Sequence, residues 1–296
     1  MNRGLSNVLV IGTLSRILRT KHSQTFAKPA KMALSVQLKQ NRAFSLLELL
    51  AVVFTIAALA ALLLPVLAKA KIKAQRTNCV SNLRQLGFAW VLYHTDNNGR
   101  LAESYPVNNP NAWILGDMHN AQEATNLDLL RQGKLYPYNR SPQIYHCPAD
   151  PGVKVDNKVI PSLRSYSMNS FMGTRDRGVG PIPPNADSFV LFYAKDSEIP
   201  RPSTMWVLLD EDERSINDGF FVTDPTAEMW IDFPAMSARR HDFSFGLVFA
   251  DSHAEVWNHH DPATKKLAHN RTEQPGNTDL ERLARASATH KTGHGD

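Results

Sequence analysis

The chain has 296 residues, of which 43% are hydrophobic and 21% are charged, close to the averages of globular proteins. These values exclude wholesale disorder and a coiled-coil rod, and the length leaves room for one large or two modest domains. The net charge of +5 comes from 33 basic and 28 acidic residues, and at first sight it suggests an anionic partner.

The basic excess lies entirely in the first 43 residues. They contain eight basic residues and no acidic one, which leaves 25 basic against 28 acidic residues in the rest of the chain, a net charge of −3. The excess therefore indicates topology and processing of the amino terminus, and it gives no reason to predict nucleic-acid binding. By composition alone, this segment also resembles an organelle transit peptide.

Residues 44–68 predict a transmembrane helix. These 25 residues, FSLLELLAVVFTIAALAALLLPVLA, include only three polar side chains, those of Ser45, Glu48 and Thr55. At 1.5 Å per residue they form about 37 Å of helix, enough to cross a hydrocarbon core of about 30 Å. Three other interpretations compete: a signal-peptide core cleaved near Ala68-Lys69-Ala70, a plain membrane anchor, and a buried core helix.

Glu48 is the residue that separates these interpretations. A charged side chain at the centre of a membrane helix costs about 2.5–3.5 kcal/mol, and somewhat less near its end. Neither a plain anchor nor a signal peptide requires such a residue. An intramembrane carboxylate instead points to a functional role and to a partner for its charge.

Residues 42–50, RAFSLLELL, resemble the processing site of type IV prepilins and type II secretion pseudopilins. The resemblance implies that a prepilin peptidase cuts between Ala43 and Phe44 and that the new amine of Phe44 is methylated. It also implies that Glu48 pairs with the Phe44 amine of a neighbouring subunit during assembly, since an unpaired buried charge is strongly unfavourable. Ala43 stands where the family usually has glycine, which predicts slower processing. Pro65 matches the proline of pilin-like helices at this depth, where it kinks the helix.

The same resemblance implies a single-pass inner-membrane protein with its head in the periplasm. It implies a filament subunit for protein secretion or a pilus, not an enzyme, and no cofactor. The implied partners are the peptidase and methyltransferase, other pseudopilin subunits, and an assembly platform with its ATPase. Residues 1–43 are then a leader, and Met32 is a candidate true start because 43 residues are long for this family.

Two other functions remain open at this point. One is a membrane-tethered periplasmic enzyme, or a metal- or ligand-binding protein, that uses the same leader. The other is nucleic-acid uptake by a pilin-like tip, which would require a basic, aromatic patch on the head.

The expected fold class is α+β, with a long amino-terminal helix packed on a small antiparallel β head. Residues 69–96 continue the helix as an amphipathic half, which the turn residues Asp96-Asn97-Asn98-Gly99 end. Its apolar stripe is Ile72, Val80, Leu83, Leu86 and Trp90. Residues 97–260 form the head, with strands predicted at Ser188–Tyr193, Met205–Leu209, Gly219–Val222, and a hairpin of Phe243–Phe249 with His253–Trp257. Residues 261–296 are polar, and Thr272–Asp296 are predicted to be a disordered tail.

Three further blocks resemble a pseudopilin-like subfamily: residues 79–101, Cys147-Pro148-Ala149-Asp150, and residues 165–169. Cys79 and Cys147 are candidates for a disulfide that ties the helix to the head. Closing a loop of roughly 70 residues would contribute about 4 kcal/mol on the chain-entropy model. The alternative is two unpaired buried thiols that behave as small hydrophobic side chains.

His241 and Asp251, with nine residues between them, resemble the H-X9-DG block of prepilin-type proteins with this leader. Ser252 stands where the block has glycine. Glycine there would supply the positive φ of a tight hairpin turn, which serine adopts less readily.

Two groups of residues are candidates for a metal. The first is His241, Asp251, His253, His259 and His260, whose types suit zinc or iron. The second is the acidic run Asp210–Glu213, where Asp210 and Asp212 are candidates for calcium. An EF-hand loop fails there, because Arg214 and Ser215 fall where a ligand and a glycine are needed. The sequence therefore predicts no metal at either group. It predicts that the acidic run is a solvated, turn-rich loop and that the histidine is hydrogen-bonded to the hairpin turn.

Overall fold

The computed structural model describes residues 44–106, 109–173, 190–238 and 240–289. The predicted leader, residues 1–43 with Ala43, lies outside this part of the chain. Two compact units are present, one ending at Val53 and the other beginning at Phe54. The helices are α1 (Leu46–Asp96), α2 (Ala121–Ala124), α3 (Leu127–Gln132), α4 (Tyr136–Asn139) and α5 (Thr278–Ser287). The strands are β1 (Val153–Val155), β2 (Lys158–Ile160), β3 (Tyr166–Asn169), β4 (Trp206–Asp210), β5 (Phe220–Phe221), β6 (Met229–Trp230), β7 (Ser244–Phe249), β8 (Ala254–Asn258) and β9 (Thr272–Glu273).

α1 is one helix of 51 residues. An 18-residue stretch of it has a mean hydropathy of 2.7, and the helix is long enough and apolar enough to cross a membrane. It continues through Pro65, whose missing N–H leaves one carbonyl without its helical partner. At the other end, Asn98 and Gly99 take positive φ values of 55° and 76°, and the Gly99 N–H donates to the His94 carbonyl at 2.8 Å. The long helix is therefore confirmed, together with the turn chemistry that ends it.

The main sheet has five strands in the order β5-β3-β4-β7-β8. Neighbouring strands are antiparallel except for β3 and β5, which run parallel, so the main sheet of the predicted antiparallel head contains one parallel pair. β4 and β7 are buried along their whole length. Strands of this kind need cover on both faces of the sheet. Two small antiparallel sheets, β1-β2 and β6-β9, complete the described topology.

One face of the main sheet is covered by α1. Of the predicted stripe, Leu83, Leu86 and Trp90 are buried, and Ile72 and Val80 are half-buried. Two glycines allow a close approach of helix and sheet. A Cβ at Gly246 would lie 2.7 Å from the Leu83 Cδ1, and one at Gly87 would lie 2.6 Å from the Val248 Cγ2. The spacing of helix and sheet therefore leaves no room for a side chain at either glycine.

The opposite face of the sheet is covered by α5, so the predicted disordered tail is wrong for residues 272–289. Asn277 caps the helix by accepting hydrogen bonds from two backbone N–H groups of its first turn. Leu280 and Leu283 are buried in the same cluster as the alternate residues of β7, which are Phe245, Leu247 and Phe249. The polar composition conceals a short amphipathic helix whose few apolar residues all face the sheet.

The predicted strands agree with β4, β5 and the β7–β8 hairpin. Ser188–Tyr193, also predicted to be a strand, begins outside the described residues, and its described part forms isolated bridges such as Tyr193 with Met172. The sequence analysis missed β3 and the β1–β2 hairpin. That hairpin turns at Asp156 and Asn157, whose φ values of 48° and 64° match a tight two-residue turn.

The turn between β7 and β8 yields a stability prediction. Ser252 takes a φ of 70°, and its N–H donates to the Phe249 carbonyl at 2.8 Å. A non-glycine residue in this region costs about 1–2 kcal/mol, which exceeds the entropy that glycine loses on folding. We expect Ser252→Gly to raise the free energy of unfolding by about 1 kcal/mol, measured by denaturant titration of the full chain in detergent. Ser252→Ala keeps the Cβ and should give no gain; an equal gain from both variants would contradict the explanation.

Candidate functional site

The first candidate site is the start of α1, where Ser45 and Glu48 form a capping box. The Ser45 N–H donates to the Glu48 carboxylate at 3.0 Å, and the Glu48 N–H donates to the Ser45 hydroxyl at 3.1 Å. The pair satisfies two of the backbone N–H groups that a helix leaves open at its start. Glu48 thus has a local structural role, and its carboxylate accepts from the backbone N–H of Ser45, the residue that follows Phe44.

The apolar part of α1 is exposed in the monomer. Large apolar side chains from Phe44 to Leu67 range from 49% exposed at Val52 to 83% exposed at Leu46. An apolar surface of this extent marks contact with lipid or with other apolar helices. The first half of α1 therefore combines an exposed apolar surface, suited to contact with lipid or another apolar helix, with the Glu48 carboxylate in its first turn.

The second candidate site is a buried polar cluster between α1 and the main sheet. Its four members come from distant parts of the chain: α1, the loop before β1, the end of β4, and the loop before β7. They are Cys79, Cys147, Asp210 and His241. Each is fully buried, and their nearest sulfur, nitrogen and oxygen atoms all lie within 4.8 Å of one another.

His241 stands at the centre of this cluster. Its Nε2 lies 3.0 Å from the Cys147 sulfur and 3.2 Å from the Asp210 Oδ2. Cys79 is contacted by the Tyr166 hydroxyl, 3.4 Å from its sulfur. The predicted disulfide partners Cys79 and Cys147 therefore lie side by side, as separate thiols.

Arg240 adds a buried cation next to the cluster. Its guanidinium pairs with Asp210, with Glu213 at 3.0 Å and with Asp150 at 3.6 Å. Burial would lower the pKa of Arg240, but Asp150 and Asp210 raise it well above its ordinary value. The side chain is therefore charged, and it holds three carboxylates in place.

The pKa values of the cluster members diverge from their ordinary values. Burial raises the pKa of the Cys79 thiol well above its usual range. Burial also acts to raise the pKa of Cys147, but hydrogen bonding to Cys79 and His241 lowers it below the usual value. Burial would lower the pKa of His241, yet its contacts with Asp210 and Cys147 raise it to about 9. These directions favour a charged imidazole of His241 against a thiolate of Cys147.

The histidine-rich group predicted from sequence does not come together. His241 is buried in the cluster, whereas Asp251 lies at the exposed hairpin tip. There the Asp251 carboxylate lies 2.5 Å from the His253 Nδ1 and accepts a hydrogen bond from the backbone N–H of His253 at 3.1 Å. His259 is buried elsewhere, with its Nε2 3.0 Å from the Ala235 carbonyl oxygen. The backbone N–H of His260 donates to the Asp279 carboxylate at 3.0 Å.

The acidic run Asp210–Glu213 is also not the solvated loop that the sequence predicts. Asp210, Glu211 and Asp212 are fully buried. Asp212 pairs with Arg214 at 2.7 Å, and Glu211 accepts a hydrogen bond from Ser215 at 2.8 Å. Arg214 and Ser215, which exclude an EF-hand loop, thus serve as the partners that allow the carboxylates to be buried. Asp212 is separate from the cluster, while Asp210 belongs to it.

A further buried carboxylate, Asp232, predicts how stability depends on pH. Burial raises its pKa to about 7, and nearby Asp218 adds to the shift while Arg271 opposes it. Burial also raises the pKa of Glu211, a second buried carboxylate, and repulsion of its charged form by Asp232 raises that pKa further. Because the folded pKa is raised, its stabilising contribution is present below about pH 4 and is lost as the pH rises through 7.

Asp232→Asn should remove this loss. Its amide oxygen can keep the hydrogen bond from the Val222 N–H, at 2.8 Å in the native chain. The Asn270 Nδ2 donates to the Asp232 Oδ1 at 3.1 Å, and a flip of the Asn270 amide would turn its unpartnered Oδ1 toward the new NH2 group. We expect the variant to match the native chain near pH 4 and to be on the order of 2–4 kcal/mol more stable near pH 8, measured by denaturant unfolding of the full chain in detergent. Asp251→Asn, at the exposed hairpin tip, is the matched control and should change neither value. A native chain whose stability rises from pH 4 to 8 relative to Asp232→Asn would contradict the assignment.

A surface cleft of about 890 Å³ lies beside α5 and β8. Arg282 stacks on the Trp257 ring at 3.6 Å from its centroid, which is a basic and aromatic pair. Two carboxylates lie in the same cleft. Glu255 accepts a hydrogen bond from the Trp257 Nε1 at 2.7 Å, and Glu281 pairs with Arg285 at 2.9 Å. This mixed charge differs from the basic patch that nucleic-acid uptake would require.

Sequence reasoning missed Arg240 and the proximity of Asp210 to His241. Arg240 lies 30 residues from Asp210 along the chain, and no local pattern announces a pairing at that distance. The resemblance to prepilins rests on residue patterns of the chain itself. Comparison with protein-family models, curated proteins and solved structures found no match to this chain.

Proposed function

We propose that the chain is a pilin-like subunit of a type II secretion or type IV pilus-like filament. It is anchored in the inner membrane by α1, with its head in the periplasm. A prepilin peptidase cleaves after Ala43, and the amine of Phe44 is methylated. An assembly platform and its ATPase then add the subunit to the filament, where Glu48 captures the amine of a neighbouring copy.

The observation that supports this proposal is the combination of an exposed apolar helix and a carboxylate in its first turn. Lipid alone would cover the apolar side chains, but it offers no partner for Glu48. A second helix of the same kind covers the apolar surface and brings a charged amine to the same depth. Glu48 and Phe44 then neutralise each other across the subunit boundary.

The cluster around His241 gives no support to the enzymatic alternative. In a nucleophile–histidine–carboxylate triad, the two partners bind opposite nitrogens of the imidazole. Here the Cys147 sulfur and the Asp210 Oδ2 both approach Nε2. All three side chains are fully buried, so a substrate has no access to them.

Mass spectrometry of the amino-terminal peptide tests the proposal. The full chain is isolated from cells with and without a prepilin peptidase, and the mature terminus is read from each. We expect an N-methylated Phe44 only when the peptidase is present. A terminus at Lys69, Ala70 or Lys71 would instead identify a cleaved signal peptide, and an intact leader in both preparations would also overturn the proposal.

A further inference from the structure

We propose that Cys79, Cys147, Asp210 and His241 bind one zinc ion that fastens α1 to the main sheet. This site is independent of filament assembly and goes beyond the proposed function. The residues would supply two sulfurs, one imidazole nitrogen and one carboxylate oxygen, a complete tetrahedral set.

The distances between the candidate ligand atoms fit a tetrahedral site. Zinc bonds to sulfur, nitrogen and oxygen are about 2.0–2.3 Å long, which places neighbouring ligand atoms about 3.3–3.8 Å apart. The His241 Nε2 lies 3.0 Å from the Cys147 sulfur and 3.2 Å from the Asp210 Oδ2, and no two of the four atoms are more than 4.8 Å apart. Shifts of a few tenths of an ångström to about 1 Å would therefore bring all four to zinc distances.

The directions of the side chains also converge on one point. The His241 Nε2 faces a sulfur and a carboxylate oxygen at once, although a single nitrogen can serve only one of them well by hydrogen bonding. The Asp210 Oδ2 is fully buried and accepts no hydrogen bond of good geometry. A cation among these atoms would satisfy the nitrogen, the sulfur and the oxygen together.

Arg240 supplies the supporting interaction that such sites require. It binds the Asp210 Oδ1, which leaves Oδ2 turned toward the cluster. Hydrogen bonds of this kind orient a ligating carboxylate. Zinc with two thiolates and one carboxylate carries a net charge of −1, and the Arg240 guanidinium lies beside it to offset that charge.

The ligand set and its burial indicate zinc in a structural role. Thiolate and imidazole ligands select zinc over calcium or magnesium, which prefer oxygen. Four protein ligands without exposure leave no open position for water or substrate, as in structural zinc sites. The ligands come from positions as far apart as 79 and 241, so the ion would hold the helix against β4 and β7.

Zinc and the predicted disulfide exclude each other, because both use the sulfurs of Cys79 and Cys147. Zinc binding releases two protons, one from the Cys79 thiol and one from the His241–Cys147 pair, and leaves both sulfurs reduced. A disulfide instead requires a two-electron oxidation and removes both thiols. The oxidation state of the two cysteines therefore separates the two possibilities.

Metal analysis of the full chain, purified in detergent without added metal, tests the proposal. We expect about one zinc per chain, two thiols that react only after chelation and denaturation, and a thiolate-to-metal charge-transfer band when cobalt replaces the zinc. Cys79→Ser and His241→Asn should each lower the zinc content at least about 10-fold. Asparagine is chosen because it tolerates the φ of 64° at His241.

The matched control is His253→Asn, which alters a histidine of the same sequence region that lies at the exposed hairpin tip. It should keep the full zinc content. The cobalt spectrum of the native chain needs no variant, so it tests the site even if a variant fails to fold. A native chain without zinc and without the cobalt band, a disulfide between the two cysteines, or equal zinc loss in the control would each overturn the proposal.

Discussion

Glu48→Gln is expected to abolish incorporation of the subunit into filaments while leaving cleavage after Ala43 unchanged. Glutamine retains the capping box with Ser45, because its amide oxygen can accept the hydrogen bond that Glu48 receives at 3.0 Å. It removes the negative charge, so the amine of the incoming Phe44 would be buried without a partner. Leaving one member of a buried pair unpaired costs about 3–5 kcal/mol, which corresponds to a loss of at least about 100-fold in assembly.

Ser45→Ala is the matched control for this prediction. It removes the hydroxyl that accepts from the Glu48 N–H at 3.1 Å, and so weakens the capping box, but it keeps the carboxylate. The expected cost of losing this cap is about 1 kcal/mol of helix stability, which should leave assembly largely intact. Incorporation is measured as the sheared filament fraction, and processing as the shift in mass of the mature chain.

The two variants distinguish the two roles that the structure allows for Glu48. If it is only a capping residue, Glu48→Gln, which retains the capping box, should assemble normally and at least as well as Ser45→Ala, which weakens the box. If it captures an amine, only Glu48→Gln should fail. Normal filaments from Glu48→Gln would therefore remove the main support for the proposed function.

The features that could be predicted from sequence are those with a local and periodic signal. α1 was readable from a run of apolar residues followed by a helical stripe, and its end from Asn98 and Gly99. The β7–β8 hairpin was readable from alternating aromatic residues. These signals depend on neighbours a few positions away, which a single sequence displays directly.

The features that were missed depend on contacts between distant parts of the chain. β3, with the sequence Tyr166–Asn169, has two small polar side chains and is a strand because β4 and β5 lie on either side of it. Asp210 looked solvated because nothing local shows that its partner Arg240 comes from a separate loop. Glu211 and Asp212 looked solvated because their partners Ser215 and Arg214 are residues that a polar surface loop would also contain. A buried polar network is set by tertiary contacts, so its sequence signature resembles that of a polar surface loop.

Removal of the Arg240 side chain is expected to have the largest effect on the stability of the head. Arg240→Met keeps the length and the apolar stem but leaves Asp210, Asp150 and Glu213 without their shared cation. Breaking one buried pair in this way costs about 3–5 kcal/mol, a large part of the 5–15 kcal/mol that stabilises an ordinary domain. Arg240→Lys should be intermediate, because a single ammonium cannot reach three carboxylates as the planar guanidinium does.

Arg285→Met is the control that separates burial from charge. Arg285 also pairs with a carboxylate, Glu281 at 2.9 Å, but its side chain is 79% exposed. An exposed pair one helical turn apart contributes about 0.3–0.5 kcal/mol, so this variant should unfold close to the native midpoint. Denaturant titration of the full chain in detergent, followed by tryptophan fluorescence, measures both variants on one scale. Equal losses from Arg240→Met and Arg285→Met would show that the buried carboxylates do not depend on Arg240, because burial is the difference between the two ion pairs.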